Sequence, residues 1–220
     1  IMVPRTRSSW FGTIRGMDAL RADLRALAAD PDVTAIVLDI DSPGGTVAGT
    51  VETAAEVRAA AAKKKVVAVA NTLAASAAYW IGSQASEFVA VPSADVGSIG
   101  VMSMHVDMSD ALRNEGVKVT TIRSARFKSD VNPFEPLSDE GKAWLQARVD
   151  EAHQWFIRDV ALGRGVTPAK VREEFGEGRI VSAKAAKDSG MVDRVATFDQ
   201  VIAGLVQART PRRRTALAFD

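Results

Sequence analysis

NTLAASAAYW, residues Asn71 to Trp80, sets a single hydroxyl, Ser76, among alanines. An apolar run, Val66 to Ala70, leads in, and a helix-like run, Ala77 to Gln84, leads out. A serine between a strand and a helix N-terminus can sit at a sharp turn. There the first free N–H groups of the helix face developing negative charge. Alanines on both sides let a substrate backbone approach closely. The same stretch also reads as a tight strand–helix turn whose small residues serve packing alone, so the choice falls to the rest of the chain.

Upstream, Val33 to Ile40 is another short, β-branched apolar run and predicts a strand buried on both faces. Asp41-Ser42-Pro43-Gly44-Gly45 follows it as a loop, and Val47 to Ala62 is alanine-rich and helical. Leu20, Leu24 and Leu27 predict a helix over Met17 to Ala29, ended by Asp30-Pro31. Ile1 to Phe11 reads as an edge strand or arm. Downstream, Phe88 to Val91 predicts a strand, Pro92 to Gly100 a loop holding Gly97-Ser98-Ile99-Gly100, and Val101 to Val106 and Val117 to Ile122 two further strands. A short helix capped by Asp107 or Ser109 lies between those two. Ser124 to Leu137 is a polar loop. Ser138 to Leu162 is the longest helix, with Leu145, Val149, Ala152, Phe156 and Val160 as one stripe, and Gly163-Arg164-Gly165 breaks it. Pro168 to Phe175, Ala183 to Ser189 and Phe198 to Gln207 predict helices, and Arg179 to Val181 a strand. Strands alternating with helices imply an α/β protein with a mostly parallel sheet and right-handed crossovers.

At 220 residues, 47% of them apolar and 25% charged, the chain suits one domain with a real core. A net charge of +1 implies no nucleic-acid partner. The exception is local: Arg209, Arg212, Arg213 and Arg214 make the end basic, and residues 209–220 read as a flexible tail. There is no cysteine, which excludes thiol nucleophiles and Cys-ligated zinc. No apolar run approaches the roughly 20 residues of a membrane span, and no signal peptide is visible.

A nucleophilic serine needs a base and an oxyanion hole. The chain has two histidines. His153 falls inside the long helix and His105 late in an apolar strand, so a Ser-His-Asp triad is poorly supplied. Neither pairs at metal-ligand spacing, and no glycine-rich loop matches a phosphate cradle. Lysine is the other candidate base. Lys63, Lys64 and Lys65 read as a solvated run, whereas Lys128 stands alone in RFKSDVNPFEPL between Phe127 and Phe134. A lysine base must be neutral, so its pKa must fall from about 10.4 towards about 7–8, which burial among apolar groups can supply. From this segment alone an exposed loop lysine is the simpler reading. SPGG gives a backbone that turns tightly and exposes N–H groups. In an open α/β sheet the ligand crevice lies at the carboxyl ends of strands, where both SPGG and Ser76 fall.

The set DIDSPGG, AASAAYWIG, ADVGSIGV and FKSDVNPFEPLS, in that order, resembles the signal peptide peptidase A family of serine proteases. The resemblance runs from Gly16 to Val195 and includes GRIVSAKAAKDSGMVD. It implies a Clp protease/crotonase-like fold of repeated ββα units with C-terminal helices, and a Ser-Lys endopeptidase acting on extended peptide segments. By motif match it makes Ser76 the nucleophile, Lys128 the general base, and Ser98 the hydroxyl that holds the lysine amine. Gly45 and Ala77 would give the two oxyanion N–H groups. KSDVNPFEPL is most similar to the capsid (prohead) maturation proteases of tailed phages. Val131 departs from the usual glycine there, and Ala77-Ala78 replaces the more usual Gly-Gly. Both changes leave the dyad untouched and bear on pocket shape. The expectations are a single protease domain over residues 1–208, with an arm at 1–15 and the long helix at 138–162, a polypeptide substrate, a homo-oligomer, capsid or scaffold proteins as partners, and no cofactor or metal. The phage branch implies the host cytoplasm, and a lost N-terminal anchor would imply membrane association. The alternatives are a crotonase-like acyl-CoA enzyme, which shares the oxyanion hole without the dyad, and a catalytically silent assembly protein.

Overall fold

The computed structural model describes residues 2–9 and 12–209, so the expected flexible tail from residue 210 onward lies outside the described residues. In chain order, β1 (Arg7–Ser9) and β2 (Gly12–Ile14) pair antiparallel within the expected arm. They precede α1 (Met17–Ala29), β3 (Ala35–Ser42), α2 (Thr50–Ala61), β4 (Lys65–Ala75), α3 (Ala77–Gly82), β5 (Glu87–Ala90) and β6 (Asp95–Gly97). Next come α4 (Ser109–Asn114), α5 (Asp139–Arg164), α6 (Pro168–Glu174), β7 (Ile180–Ser182), α7 (Ala183–Ser189), β8 (Arg194–Val195) and α8 (Phe198–Arg209). The chain divides into two compact units, Ile1–Gly100 with Phe156–Asp220, and Val101–Trp155.

The first unit is built on β4. Its parallel neighbours are β3, β5 and, at its last residues, β6; β8 extends β5 in parallel and β7 joins β6 antiparallel. Val66 to Ala70 are at most 1% exposed, the burial on both faces that a continuous apolar run implies. The same expectation fails for β3. Among the described residues it pairs with β4 alone, and only Ile36 on it is buried. On α1 the buried residues are Met17, Leu24 and Ala28, while Leu27 is 39% exposed. Small residues on α2, among them Thr53, Ala54 and Ala60, let that helix lie close to its neighbours.

α3 is buried at every residue from Ala77 to Gly82. Trp80 stacks on Phe156 of α5 at 4.4 Å and donates to the Asp159 carboxylate at 3.0 Å. Tyr79 donates to the Met191 carbonyl at 2.8 Å, and burial pushes its phenol pKa up. Lys64 and Lys65 are not simply solvated. The Lys64 amine donates to the Val33 carbonyl at 2.7 Å, and Lys65 pairs with Glu87 at 2.8 Å. Nor does Gly163 break its helix. α5 runs through it to Arg164, and a Cβ there would lie 2.3 Å from the Ser83 carbonyl oxygen, so close packing is what requires the glycine.

In the second unit, the strands expected over Val101 to Val106 and Val117 to Ile122 do not form. Their apolar side chains meet no buried face: Met102, Met104 and Ile122 are 82%, 79% and 94% exposed. Strand pattern without a partner edge yields no ladder. α4 and the first part of α5 are the regular elements here. No helix among the described residues is long and apolar enough to cross a membrane.

Candidate active site

Register decides what meets at the carboxyl end of β4. Ser42 of β3 lies opposite Ala74, and Gly97 of β6 lies opposite Ala75. The strands are parallel, so the residues that follow each of them emerge side by side. These are Gly44-Gly45 after β3, Ser76 after β4, and Ser98 after β6. The contacts bear this out. A Cβ on Gly44 would lie 2.7 Å from the Ser76 Cβ and 3.0 Å from the Ala77 nitrogen. The Ser76 N–H donates to the Gly97 carbonyl at 2.8 Å, which puts Ser98 next to it.

Ser76 has φ 54° and ψ −125°, a conformation that side-chain-bearing residues rarely adopt. Ser98 also has φ 54°. The Ser76 strain is held from both sides. Its N–H is tied to Gly97, and its carbonyl accepts the Trp80 N–H at 2.9 Å, within a helix that Trp80 and Tyr79 anchor in the core. The hydroxyl therefore projects from a sharp strand-to-helix turn and is half-buried. Ala77 opens α3, so its N–H has no helical partner. The Gly45 N–H also has none among the described residues.

The two glycines of SPGG do different things. Gly44 has φ +104° and carries the turn. Gly45 is not in the left-handed region, and a Cβ on it would lie 2.0 Å from the Met2 carbonyl oxygen. The sequence singled out neither the Gly44–Ser76 contact nor Met2. The only signal was a pair of glycines where one suffices for a turn.

Lys128 lies in the second unit, in a chain of turns stitched by side chains. Arg126 pairs with Glu140 at 2.7 and 2.8 Å, Arg123 with Glu135 at 2.9 and 2.8 Å, and the Asn132 amide donates to the Ser129 carbonyl at 2.6 Å. The burial expected around Lys128 is absent: its side chain is exposed, Phe127 is 59% exposed and Phe134 45%. Polar turns and salt bridges, rather than an apolar shell, hold this loop. A cavity of about 470 Å³ adjoins it, lined by Phe127, Lys128, Asp130, Val131, Glu140 and Trp144. His105 is half-buried, with Nε2 2.8 Å from the Asn132 carbonyl oxygen, and so has a structural bond.

Residues 58–210 match the profile of peptidase family S49. The chain is 33% identical over 213 residues to the capsid assembly protease C of Escherichia phage lambda, covering 96% of this chain and 48% of that protein. It is 32% identical over 198 residues to the head-tail preconnector protein GP5 of Enterobacteria phage P21, covering 90% and 39%. With protease 4 of Salmonella typhi it shares 33% identity over 189 residues, 86% of this chain and 30% of that one. The chain thus spans half or less of the length of these relatives. Among solved structures, a ClpP1 mutant from Listeria monocytogenes superposes with a TM-score of 0.52 at 15% identity, over 84% of this chain and 85% of that one. That similarity shows the Clp protease fold.

Proposed function

Because this chain belongs to peptidase family S49, we propose that it is a serine endopeptidase that uses a Ser76–Lys128 dyad on extended polypeptide segments. The observation that carries the proposal is Ser76 itself, a serine in a disfavoured conformation at the carboxyl end of the central strand, with Gly44 packed on it. Strain of about 1–3 kcal/mol persists only where the surroundings enforce it, and such residues cluster at active sites.

In the proposed reaction the neutral Lys128 amine takes the Ser76 hydroxyl proton as Oγ bonds to the scissile carbonyl carbon. The carbonyl π electrons move to oxygen, and the Gly45 and Ala77 N–H groups donate to that oxyanion. The intermediate collapses, the peptide C–N bond breaks, and the Lys128 ammonium returns the proton to the leaving amine. Water, deprotonated by the same amine, then adds to the acyl carbon, the C–Oγ bond breaks, and the Lys128 ammonium returns the proton to Ser76 Oγ. Ser98 orients the amine. Both compact units form one protease domain in this reading. The similarity to the phage lambda and P21 proteins supports capsid or scaffold proteins as substrates, in the cytoplasm of an infected host. The alanines around Ser76 leave little bulk beside it, and the family resemblance implies small or apolar residues before the cut, with substrate bound as an added strand. The molecule works as a homo-oligomer.

A casein digest compares the wild type with three variants. Ser76→Ala is expected to be inactive and folded, since it removes only a hydroxyl. Lys128→Arg is expected to be inactive, because guanidinium stays protonated at any usable pH. His105→Ala keeps substantial activity. Full activity of Lys128→Arg together with loss in His105→Ala would replace the dyad by a histidine mechanism.

A further inference from the structure

Met2 lies outside every motif invoked above, yet its backbone is bonded to one of them. Its N–H donates to the Gly44 carbonyl at 2.8 Å, and its carbonyl accepts the Thr46 N–H at 3.3 Å. This is a parallel bridge centred on Gly45. The approach is close enough that a Cβ on Gly45 would also lie 2.8 Å from the Met2 nitrogen. The second glycine of SPGG is therefore required by the Met2 backbone that lies against it, not by its own φ.

The bridge has a geometric consequence. The Gly44 carbonyl and the Gly45 N–H belong to one planar peptide, and no cis peptide occurs among the described residues. In a trans peptide these two groups point in opposite directions. Tying the carbonyl to Met2 therefore aims the Gly45 N–H at the opposite flank of the loop, where it has no partner among the described residues. Gly44, at the other end of that peptide, packs on Ser76 and the Ala77 nitrogen. A peptide between two glycines has little steric resistance to rotation. Turned over, it would present a carbonyl oxygen where the reaction needs a donor.

We propose that Met2 is a positioning residue, whose main chain clamps the Gly44–Gly45 peptide in the orientation that offers the Gly45 N–H to the oxyanion. The proposal rests on the Ser76 nucleophile described above and adds a requirement that reading does not contain. The N–H of Met2 matters, and its side chain does not.

The test uses the full chain and a fluorogenic peptide with alanine before the cut, with Ser76→Ala as the background. Met2→Pro removes the N–H, and Met2→Leu is the conservative variant that keeps it. Met2→Pro is expected to lower kcat by about 10²- to 10³-fold, the range for loss of one oxyanion donor, with KM nearly unchanged. Its affinity for a peptidyl boronic acid should fall in parallel with kcat/KM, and Met2→Leu should restore kcat. Equal kcat for Met2→Pro and Met2→Leu would overturn the clamp while leaving Ser76 in place. A wild type no faster than Ser76→Ala would remove the nucleophile and the clamp with it. If circular dichroism shows Met2→Pro unfolded, amide exchange of the wild type decides. Thr46 N–H should be protected and Gly45 N–H should exchange freely, and fast exchange at Thr46 would refute the bridge.

Discussion

At Ser76 the backbone takes φ 54° and ψ −125°, a region open to glycine and costly for residues with a Cβ. The hydroxyl is thus retained against a conformational penalty. Ser76→Gly is expected to be inactive yet more stable than Ser76→Ala by about 1 kcal/mol, part of the 1–3 kcal/mol that such strain costs. Glycine's entropy in the unfolded chain offsets some of the gain. Thermal melts of the two variants read this directly, and an alanine form as stable as the glycine form would mean that the turn is unstrained.

A second single-residue effect concerns pH. Burial alone would raise the Asp193 pKa. Its pairing with Arg164, at 2.6 Å and 3.1 Å, and the Phe88 N–H at 2.6 Å outweigh that and hold the carboxyl below its ordinary value. A carboxylate with a depressed folded pKa stabilises fully above its unfolded pKa of about 4, and that contribution is lost as pH falls through the folded value. Asp193→Asn should therefore lower the urea midpoint at pH 7, and the gap to wild type should shrink at pH 3. A gap that stayed constant with pH would show the ion pair to be irrelevant to stability.

At the level of elements, α3 is the platform on which Ser76 is mounted, and α5 is what braces it. Trp80 stacks on Phe156, Gln84 donates to the Asp159 carbonyl at 2.8 Å, and Gly163 lies against Ser83. A methyl at Gly163 has nowhere to go, because the atom it meets is backbone. Gly163→Ala should therefore destabilise by about 1–3 kcal/mol, the usual cost of overpacking, although alanine is the better helix former. Chemical denaturation measures this. A neutral or stabilising result would show that helix propensity wins and that α3 and α5 can separate. The loss should also appear in activity, because α3 sets the Ser76 turn.

For the whole molecule, the second unit sets the problem. Among its residues only Gly141 and Ala152 are buried, while Met102, Met104, Ile122, Phe127 and Trp144 are each more than half exposed. Monomeric proteins rarely leave so much apolar surface in water. The homo-oligomer proposed above would cover it, and the same cover would surround Lys128 with the apolar neighbours a neutral amine needs. Light scattering at micromolar concentration should give a mass several times 23.4 kDa. Met104→Glu with Ile122→Glu should shift it towards the single chain and lower activity together. A fully active monomer would reject the assembly.

Local patterns in the sequence determined most of the elements. α1 and α7 begin and end where periodicity and punctuation put them, and Val66 to Ala70 is buried on both faces as its composition implies. Ser76 and the SPGG loop were legible because each follows a strand's carboxyl end, whereas Gly45, Ala77, Ser98 and Lys128 were singled out only through the motifs they share with the family, and the strand that precedes Ser98 was read as loop. Hydrophobic spacing of this kind is a property of neighbours in the chain. The tertiary structure alone decided the rest: that Ser42, Ala75 and Gly97 come level, that β8 exists, and that Gly45 is glycine because Met2 lies on it. It also left Val101 to Val106 and Val117 to Ile122 without the ladder their pattern predicts. Strand register and backbone approach join residues far apart in sequence, and they are set by which edges and faces pack together, which no local pattern encodes.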